Sequence, residues 1–299
     1  MVPYISFECC PCCGSASIYP ALSAKDYTVS NEIFEIWHCD ECTLRFTQNA
    51  PNDSSIGQYY QSENYVSHSD TEKGFINRVY HLVRYYTLRS KRVLVQEVTK
   101  KKMGSILEVG AGTGAFSNTM QKAGWQLTAI EPDTTARQNA LNRYDLHLQT
   151  PEQLFTLDIL KFDAITLWHV MEHIHLLKDY WKEFNRILKH DGKLIIAVPN
   201  YTSYDAKYYN KFWAAYDVPR HLYHFSPKSM ELLGLSMGFI LVEVKPMWFD
   251  SFYVSMLSEH YKNGSGNIVG SIWNGLLSNL KSIGNKKRCS SVIYIFSKK

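Results

Sequence analysis

Residues 106–116 read Ile-Leu-Glu-Val-Gly-Ala-Gly-Thr-Gly-Ala-Phe, and this stretch leaves the chain little choice of fold. The apolar run 106–109 predicts a buried parallel strand, because a strand covered on both faces shows no polar alternation. Gly110, Gly112 and Gly114 follow at alternate positions, after which Phe116, Met120 and Ala123 fall on one face of a helix. Strand, glycine turn and helix together make a ligand cradle. Glycine lets the backbone take φ > 0 and approach a ligand closely, and the helix start offers N–H groups that lack intrahelical partners.

The spacing narrows the ligand. A dinucleotide turn has the form G-x-G-x-x-G, with the pyrophosphate on the helix N-terminus. Here the third glycine comes one residue early, and Glu108 precedes the first. A carboxylate at that point repels a pyrophosphate and suits a cation. The segment resembles the first motif, E/D-x-G-x-G-x-G, of the class I S-adenosylmethionine-dependent methyltransferases. The resemblance implies an α/β fold with a doubly wound, mostly parallel, seven-stranded Rossmann-like sheet. It also implies that Glu108, Gly110, Gly112 and Gly114 hold the amino-acid end of S-adenosyl-L-methionine.

The chain beyond this motif repeats strand and helix, which argues for the same architecture. Residues 127–131 predict a second strand ending in Glu131, about 20 residues past the turn, where a ribose diol needs an acceptor;. The competing role for Glu131 is to stabilise the start of a helix over 133–144. Residues 147–149 predict a short third strand, and the resemblance assigns adenine contacts to Gln149 and Thr150. Residues 162–167 make a fourth strand, followed by an amphipathic helix carrying Tyr180, Phe184, Ile187 and Leu188. His190-Asp191-Gly192 is expected to end that helix, with Gly192 as its cap, before a fifth strand at 193–198. Ser226-Pro227 has the form of a helix start, residues 239–245 of a sixth strand and 291–296 of a last one;. By resemblance the last strand pairs antiparallel with the sixth, so residues 249–288, with two helical patterns, form an insertion between them.

Two stretches carry candidate chemistry. Trp168 and His169 follow the fourth strand, where ligands sit in open α/β sheets, and both are candidate cofactor contacts;. Glu172-His173 resembles a motif of small-molecule methyltransferases, including the quinone O-methyltransferases, whose E-x-x-E-H can hold a divalent metal. His169 replaces the first glutamate here, which leaves open a catalytic metal near Glu172 and His173. Residues 201–225 are long and aromatic for a strand–helix connection, which predicts either a lid over the acceptor or an aromatic core segment. Their Trp213 and Asp217-Val218-Pro219-Arg220-His221-Leu222 resemble a broad bacterial group of zinc-ribbon and ubiquinone-type methyltransferases. Methyl transfer to a hydroxyl or carbon acid needs a base, and histidine suits that near neutral pH. The candidates are His221, His169 and His224, with Tyr223 orienting.

The N-terminal 50 residues read as a separate zinc ribbon. Cys9-Cys10-Pro11-Cys12-Cys13 and Cys39-x-x-Cys42 are paired knuckles, and Cys10, Cys13, Cys39 and Cys42 are the predicted ligands of a structural Zn²⁺;. Cys9 and Cys12 form an out-of-register pair, and His38 is a possible substitute. Residues 51–104 connect the ribbon to the main domain at 105–299. They contain a tyrosine-rich stretch at 58–69 and then a helical pattern, and Arg84, Arg89, Lys91 and Arg92 read as its solvated face;.

Residues 1–53 carry seven acids and two bases, a poor match for phosphate contact;. That balance, and the absence of an N/D-P-P-Y/F motif at 168, favour a small-molecule methyl acceptor over an RNA. An RNA methyltransferase and a non-catalytic cofactor-binding scaffold are the alternatives, and the intact Glu108, glycines and Glu131 weigh against the scaffold. No apolar run reaches a membrane span, no signal-peptide pattern opens the chain, and cysteines at metal spacing fit a reducing cytoplasm. Nothing in the sequence fixes the oligomeric state.

Overall fold

The computed structural model of the chain describes residues 3–61, 75–264 and 268–299. The N-terminal part holds β1 (Tyr4–Ile5), β2 (Ile18–Lys25), β3 (Ile33–Cys39), β4 (Arg45–Thr47) and β5 (Ala50–Pro51). The helix α1 (Phe75–Thr99) leads into the main sheet, whose first three strands are β6 (Ser105–Val109), β7 (Gln126–Ile130) and β8 (Phe162–Trp168). These are joined by α2 (Ala115–Lys122) and α3 (Thr134–Tyr144), and α4 (Leu177–Ile187) then leads to β9 (Leu188–Pro199). All seven residues of β8 are buried, as expected for a central strand covered on both faces;. In α4, Leu177, Trp181, Phe184 and Ile187 recur at helical spacing and are the buried ones, and Trp181 packs edge-on against Phe296;.

Beyond β9 come α5 (Tyr204–Tyr209), β10 (Tyr223–His224), α6 (Pro227–Ser236) and β11 (Phe239–Pro246). The hairpin of α7 (Asp250–Asn263) and α8 (Ile268–Ser282) follows, then β12 (Ser291–Lys298). The main sheet has the order β11-β12-β9-β8-β6-β7, parallel from β9 to β7 and antiparallel at β12. Side-chain caps start two helices as the sequence indicates. Asp133 accepts the N–H of Ala136 at 2.6 Å, and Ser226 accepts that of Ser229 at 3.0 Å;.

Two expectations need correction. The sheet has six strands among the described residues, not seven. The predicted third strand is reduced to a single parallel bridge between Ile130 and Gln149, because the chain turns at once into the short helix Pro151–Thr156. Gly192 does not cap α4. That helix ends at Ile187, and β9 begins at Leu188, opposite Phe162, with a register shift before Lys193. The rest of the tyrosine-rich stretch, including Tyr65 and His68, lies outside the described residues.

Residues 201–225, for which the sequence leaves a lid or an aromatic core segment open, form a core. Tyr209, Trp213 and Tyr216 are buried with Phe34 and Ile36 of β3. Strand β10 pairs with β4, so the ribbon sheet runs β10-β4-β3-β2 and takes one edge from a segment about 180 residues away. Arg220 secures this junction. Its fully buried guanidinium pairs with Asp26 at 3.0 Å and Asp217 at 2.5 Å, and donates to the Tyr59 carbonyl at 2.8 Å.

Candidate functional site

The glycine turn lies between β6 and α2 as predicted, and all three glycines have φ between +54° and +77°. Their reasons differ. A Cβ on Gly110 would stand 2.3 Å from Val170 Cγ2, so packing demands glycine there. A Cβ on Gly112 would meet nothing within 4 Å, so that turn opens onto free space, as a ligand cradle requires;.

Two carboxylates flank this space. Glu131, just past β7, accepts the N–H of Gly112 at 2.7 Å and of Asp133 at 3.0 Å. Burial raises its pKa, and those two N–H bonds act the other way;. Each oxygen keeps an acceptor position, which fits a vicinal diol. Glu108 is almost fully buried and accepts the Ser117 hydroxyl. Burial pushes its pKa up to about 7, against the lowering effects of Ser117 and the nearby Lys91. The Gln149 backbone lies beside this edge, where its carbonyl accepts the Glu131 N–H at 2.9 Å, and Thr150 starts the short helix that follows.

Lys91 is not on a solvated face. It enters the cleft from α1 and stands 4.4 Å over the Trp168 ring, which also meets Phe116 edge-on. Burial lowers its pKa, with Asp250 and Glu108 opposing. Its spacing from Leu88 and Val95, on the apolar side of the helix, was the available signal;.

His169 follows β8 in a left-handed conformation, φ 58°, an uncommon and costly state for a non-glycine residue;. Its Nε2 pairs with Asp250 at 2.8 Å, and its Nδ1 lies 3.4 Å from Glu172. Burial disfavours the charged ring, but the Asp250 pair and Glu172 prevail and raise its pKa to about 10. His169 is thus held as a cation. No sequence signal identified Asp250, which comes from the first turn of the inserted hairpin.

Glu172, His173 and His221 bring their donor atoms within 4.8 Å of one another. Glu172 is fully buried, and neither of its oxygens accepts a hydrogen bond within the described residues. His221 Nδ1 donates to the Ala215 carbonyl at 2.9 Å, which leaves the Nε2 lone pair free, 3.9 Å from Asp217;. His173 Nδ1 donates to the Arg220 carbonyl at 3.0 Å, and its ring meets that of His221 edge-on at 4.5 Å. Burial and the neighbouring His221 lower the His173 pKa to about 4, so this ring is neutral.

The remaining two candidates are not in this group. His224 is buried against Thr47, 3.1 Å from its hydroxyl, and Tyr216. Burial, with His221 and Arg45 nearby, holds its pKa well below the usual range. Tyr223 directs its hydroxyl to the His175 carbonyl at 3.4 Å and its ring toward Phe7 and Phe225. Both belong to the seam between β10 and the ribbon. Sequence proximity grouped them with His221, but a strand separates what a loop would have kept together.

In the ribbon, Cys10, Cys13, Cys39 and Cys42 bring their sulfurs within 4.8 Å of one another. The Cys10–Cys42 and Cys13–Cys39 separations are 3.5 and 3.6 Å. Those distances are far longer than the ~2 Å of a disulfide and close to the about 3.8 Å edge of a tetrahedral zinc–thiolate site. Cys12 instead donates to the Ser229 carbonyl at 3.8 Å, and Cys9 is exposed.

Comparison with known proteins agrees with the fold. A family profile described as "Methyltransferase domain" matches residues 81–244. A ubiquinone biosynthesis O-methyltransferase of Xanthomonas oryzae pv. oryzae (strain PXO99A) is 33% identical over 104 residues, 32% of this chain and 44% of that one. An uncharacterized methyltransferase of Alkaliphilus oremlandii is 27% identical over 114 residues, 37% of this chain and 52% of that one. The chain thus spans about half the length of the curated relatives it matches. Magnesium protoporphyrin IX methyltransferase of Synechocystis PCC 6803, solved with bound S-adenosylhomocysteine, shares the fold with a TM-score of 0.54 at 11% identity. That match covers 83% of this chain and all of the other.

Proposed function

The chain belongs to the methyltransferase domain family, and from that premise we propose that it transfers the methyl group of S-adenosylmethionine to a small polar acceptor. The observation that carries this reading is the open space over Gly112, edged by a Glu131 carboxylate that two backbone N–H groups hold in place. When bound there, S-adenosylmethionine supplies an already activated methyl group on a sulfonium. The protein's share is therefore orientation and proton removal.

Glu131 would accept the ribose hydroxyls, and Glu108 with the turn would face the cationic amino-acid end. Gln149 and Thr150 would border the adenine, and Trp168 would close the opposite side with His169 beside it. His221 is the base in this reading, because its Nδ1–H is already committed and its Nε2 lone pair is free. His169, held charged between Asp250 and Glu172, is not the base, and both of its ring nitrogens face those carboxylates. Glu172 then balances the charge that builds on His221 as it takes a proton.

The four ribbon cysteines suit a structural Zn²⁺, which would lower their pKa and hold them as thiolates. Such a site is closed and takes no part in the transfer. It would fix β3 and β4, on which β10 and the segment carrying His221 are laid. Reduced cysteines at metal spacing fit a cytoplasmic setting.

The test is labelled transfer. The protein, S-adenosylmethionine with a labelled methyl and a fractionated small-metabolite extract should yield label in a low-mass product, and His221→Ala should reduce the rate of labelling by ~10²–10⁴. Label retained only by an RNA fraction would refute the small-molecule reading.

A further inference from the structure

The α7–α8 hairpin is packed inside out. In α8 the buried positions include Ser271, Asn274, Ser278 and Ser282, while Val269, Ile272, Trp273, Leu276 and Leu280 are 40–80% exposed. The exposed positions recur at helical spacing and form one stripe opposite the serines. Helix α7 repeats the pattern. Ser251, Ser255, Ser258 and Glu259 are buried, and Tyr253 and Met256 are exposed.

Most of the buried polar side is engaged, the Ser255 hydroxyl being the exception among the described residues. Ser278 donates to Asp205 at 2.7 Å, Asn274 to Glu259 at 3.2 Å, and Ser258 accepts the Ala214 N–H at 2.9 Å. The two helices approach closely at Gly275, where a Cβ would lie 3.0 Å from Phe252 Cα. In water, burial favours the opposite arrangement. Small and hydroxylated residues between helices, with large apolar ones outside, suit helices that face hydrocarbon.

Charge identifies the occupant. Residues 260–299 carry Lys262, Lys281, Lys286, Lys287, Arg288, Lys298 and Lys299 and no acid. Lys281 flanks the α8 stripe, and residues 286–288 form the exposed turn that follows it. Two copies meeting through this face would bring like charges together, whereas an anionic bilayer attracts them. With 14 and 15 residues, the helices are about 21–23 Å long, short of the ~30 Å hydrocarbon core;. No helix among the described residues is long and apolar enough to cross a membrane, so the hairpin would lie along the interface;.

We propose that the outer face of the α7–α8 hairpin docks on an anionic lipid surface. The test is flotation of the full chain with phosphatidylcholine vesicles, with and without phosphatidylglycerol. The chain should float with the mixed vesicles, far less with phosphatidylcholine alone, and less again at high salt. Trp273→Glu/Leu276→Glu should cut the floated fraction about tenfold or more, with S-adenosylhomocysteine affinity unchanged as the check on folding. Lys286→Glu/Lys287→Glu, which leaves the apolar face intact, should weaken only the anionic component. Failure of the wild type to float with mixed vesicles would overturn the proposal. So would a dimer in sedimentation equilibrium that Trp273→Glu dissolves, which would make the face a contact between copies.

Discussion

Replacing Arg220 with methionine tests how the ribbon is joined to the main domain. The substitution roughly keeps the buried volume and removes every donor. Asp26 would remain satisfied, since it also accepts the N–H groups of Thr28, Val29 and Ser30 at 2.9–3.2 Å. Asp217 would lose its paired cation, and the Tyr59 carbonyl its donor. Removing one partner of a buried ion pair costs ~3–5 kcal/mol, and an orphaned carbonyl adds ~1–3. Asp217 keeps 22% of its side chain exposed, which discounts the sum. The expected loss is about 3–4 kcal/mol, a large share of the ~5–15 kcal/mol that holds a typical protein folded.

Urea unfolding followed by tryptophan fluorescence would measure that loss. Arg220→Met/Asp217→Asn should recover part of it by removing the stranded charge. Burial works to raise the pKa of both aspartates, but Arg220 and hydrogen bonds prevail and hold them below the usual carboxylate value of 3.8. The stabilisation is therefore present above about pH 4 and is lost as pH falls through the lower folded values, so the wild-type advantage should shrink in acid. A variant within ~1 kcal/mol of wild type at pH 7 would refute the reasoning.

Three further outcomes are expected. His169 is raised from 6.5 to about 10, so its pair with Asp250 stabilises fully below pH 6.5 and ceases to as pH rises toward 10;. His169→Gln should cost on the order of 1–2 kcal/mol at pH 6, after allowing for partial exposure, and little at pH 10, as read from melting curves. Metal analysis should find one zinc per chain, and Cys39→Ser should lose it together with the thermal stability of the ribbon and its β10 edge. His221→Ala should reduce turnover by ~10²–10⁴ while leaving S-adenosylhomocysteine affinity nearly intact, and equal losses in both would assign it a structural role.

The parallel core was legible because its signals are local. An apolar strand, three glycines and an acid about 20 residues on fall within one stretch, and β6, α2 and β7 follow from it. The third strand failed because 147–149 had too few residues to distinguish a strand from a bridge. Gly192 failed because a glycine after a helical pattern looks like a cap, while the pairing of Leu188 with Phe162 is a long-range fact. The candidate site divides the same way. Glu108 and Glu131 were visible beside their turn, whereas Asp250 reaches His169 across 81 residues. His224 and Tyr223 adjoin His221 in sequence, and only the pairing of β10 with β4 shows that they face the ribbon.

The most direct measurement of the central claim is calorimetric binding of S-adenosylhomocysteine to wild type and to Glu131→Gln. The glutamine keeps the shape and one acceptor for the backbone N–H groups, but it removes the charge offered to the ribose. The account predicts one site per chain in the wild type and an affinity about tenfold or more weaker in the variant, equivalent to ~1.5–3 kcal/mol for hydrogen bonds to a charged group. No binding to the wild type, or equal affinity in a folded variant, would contradict it.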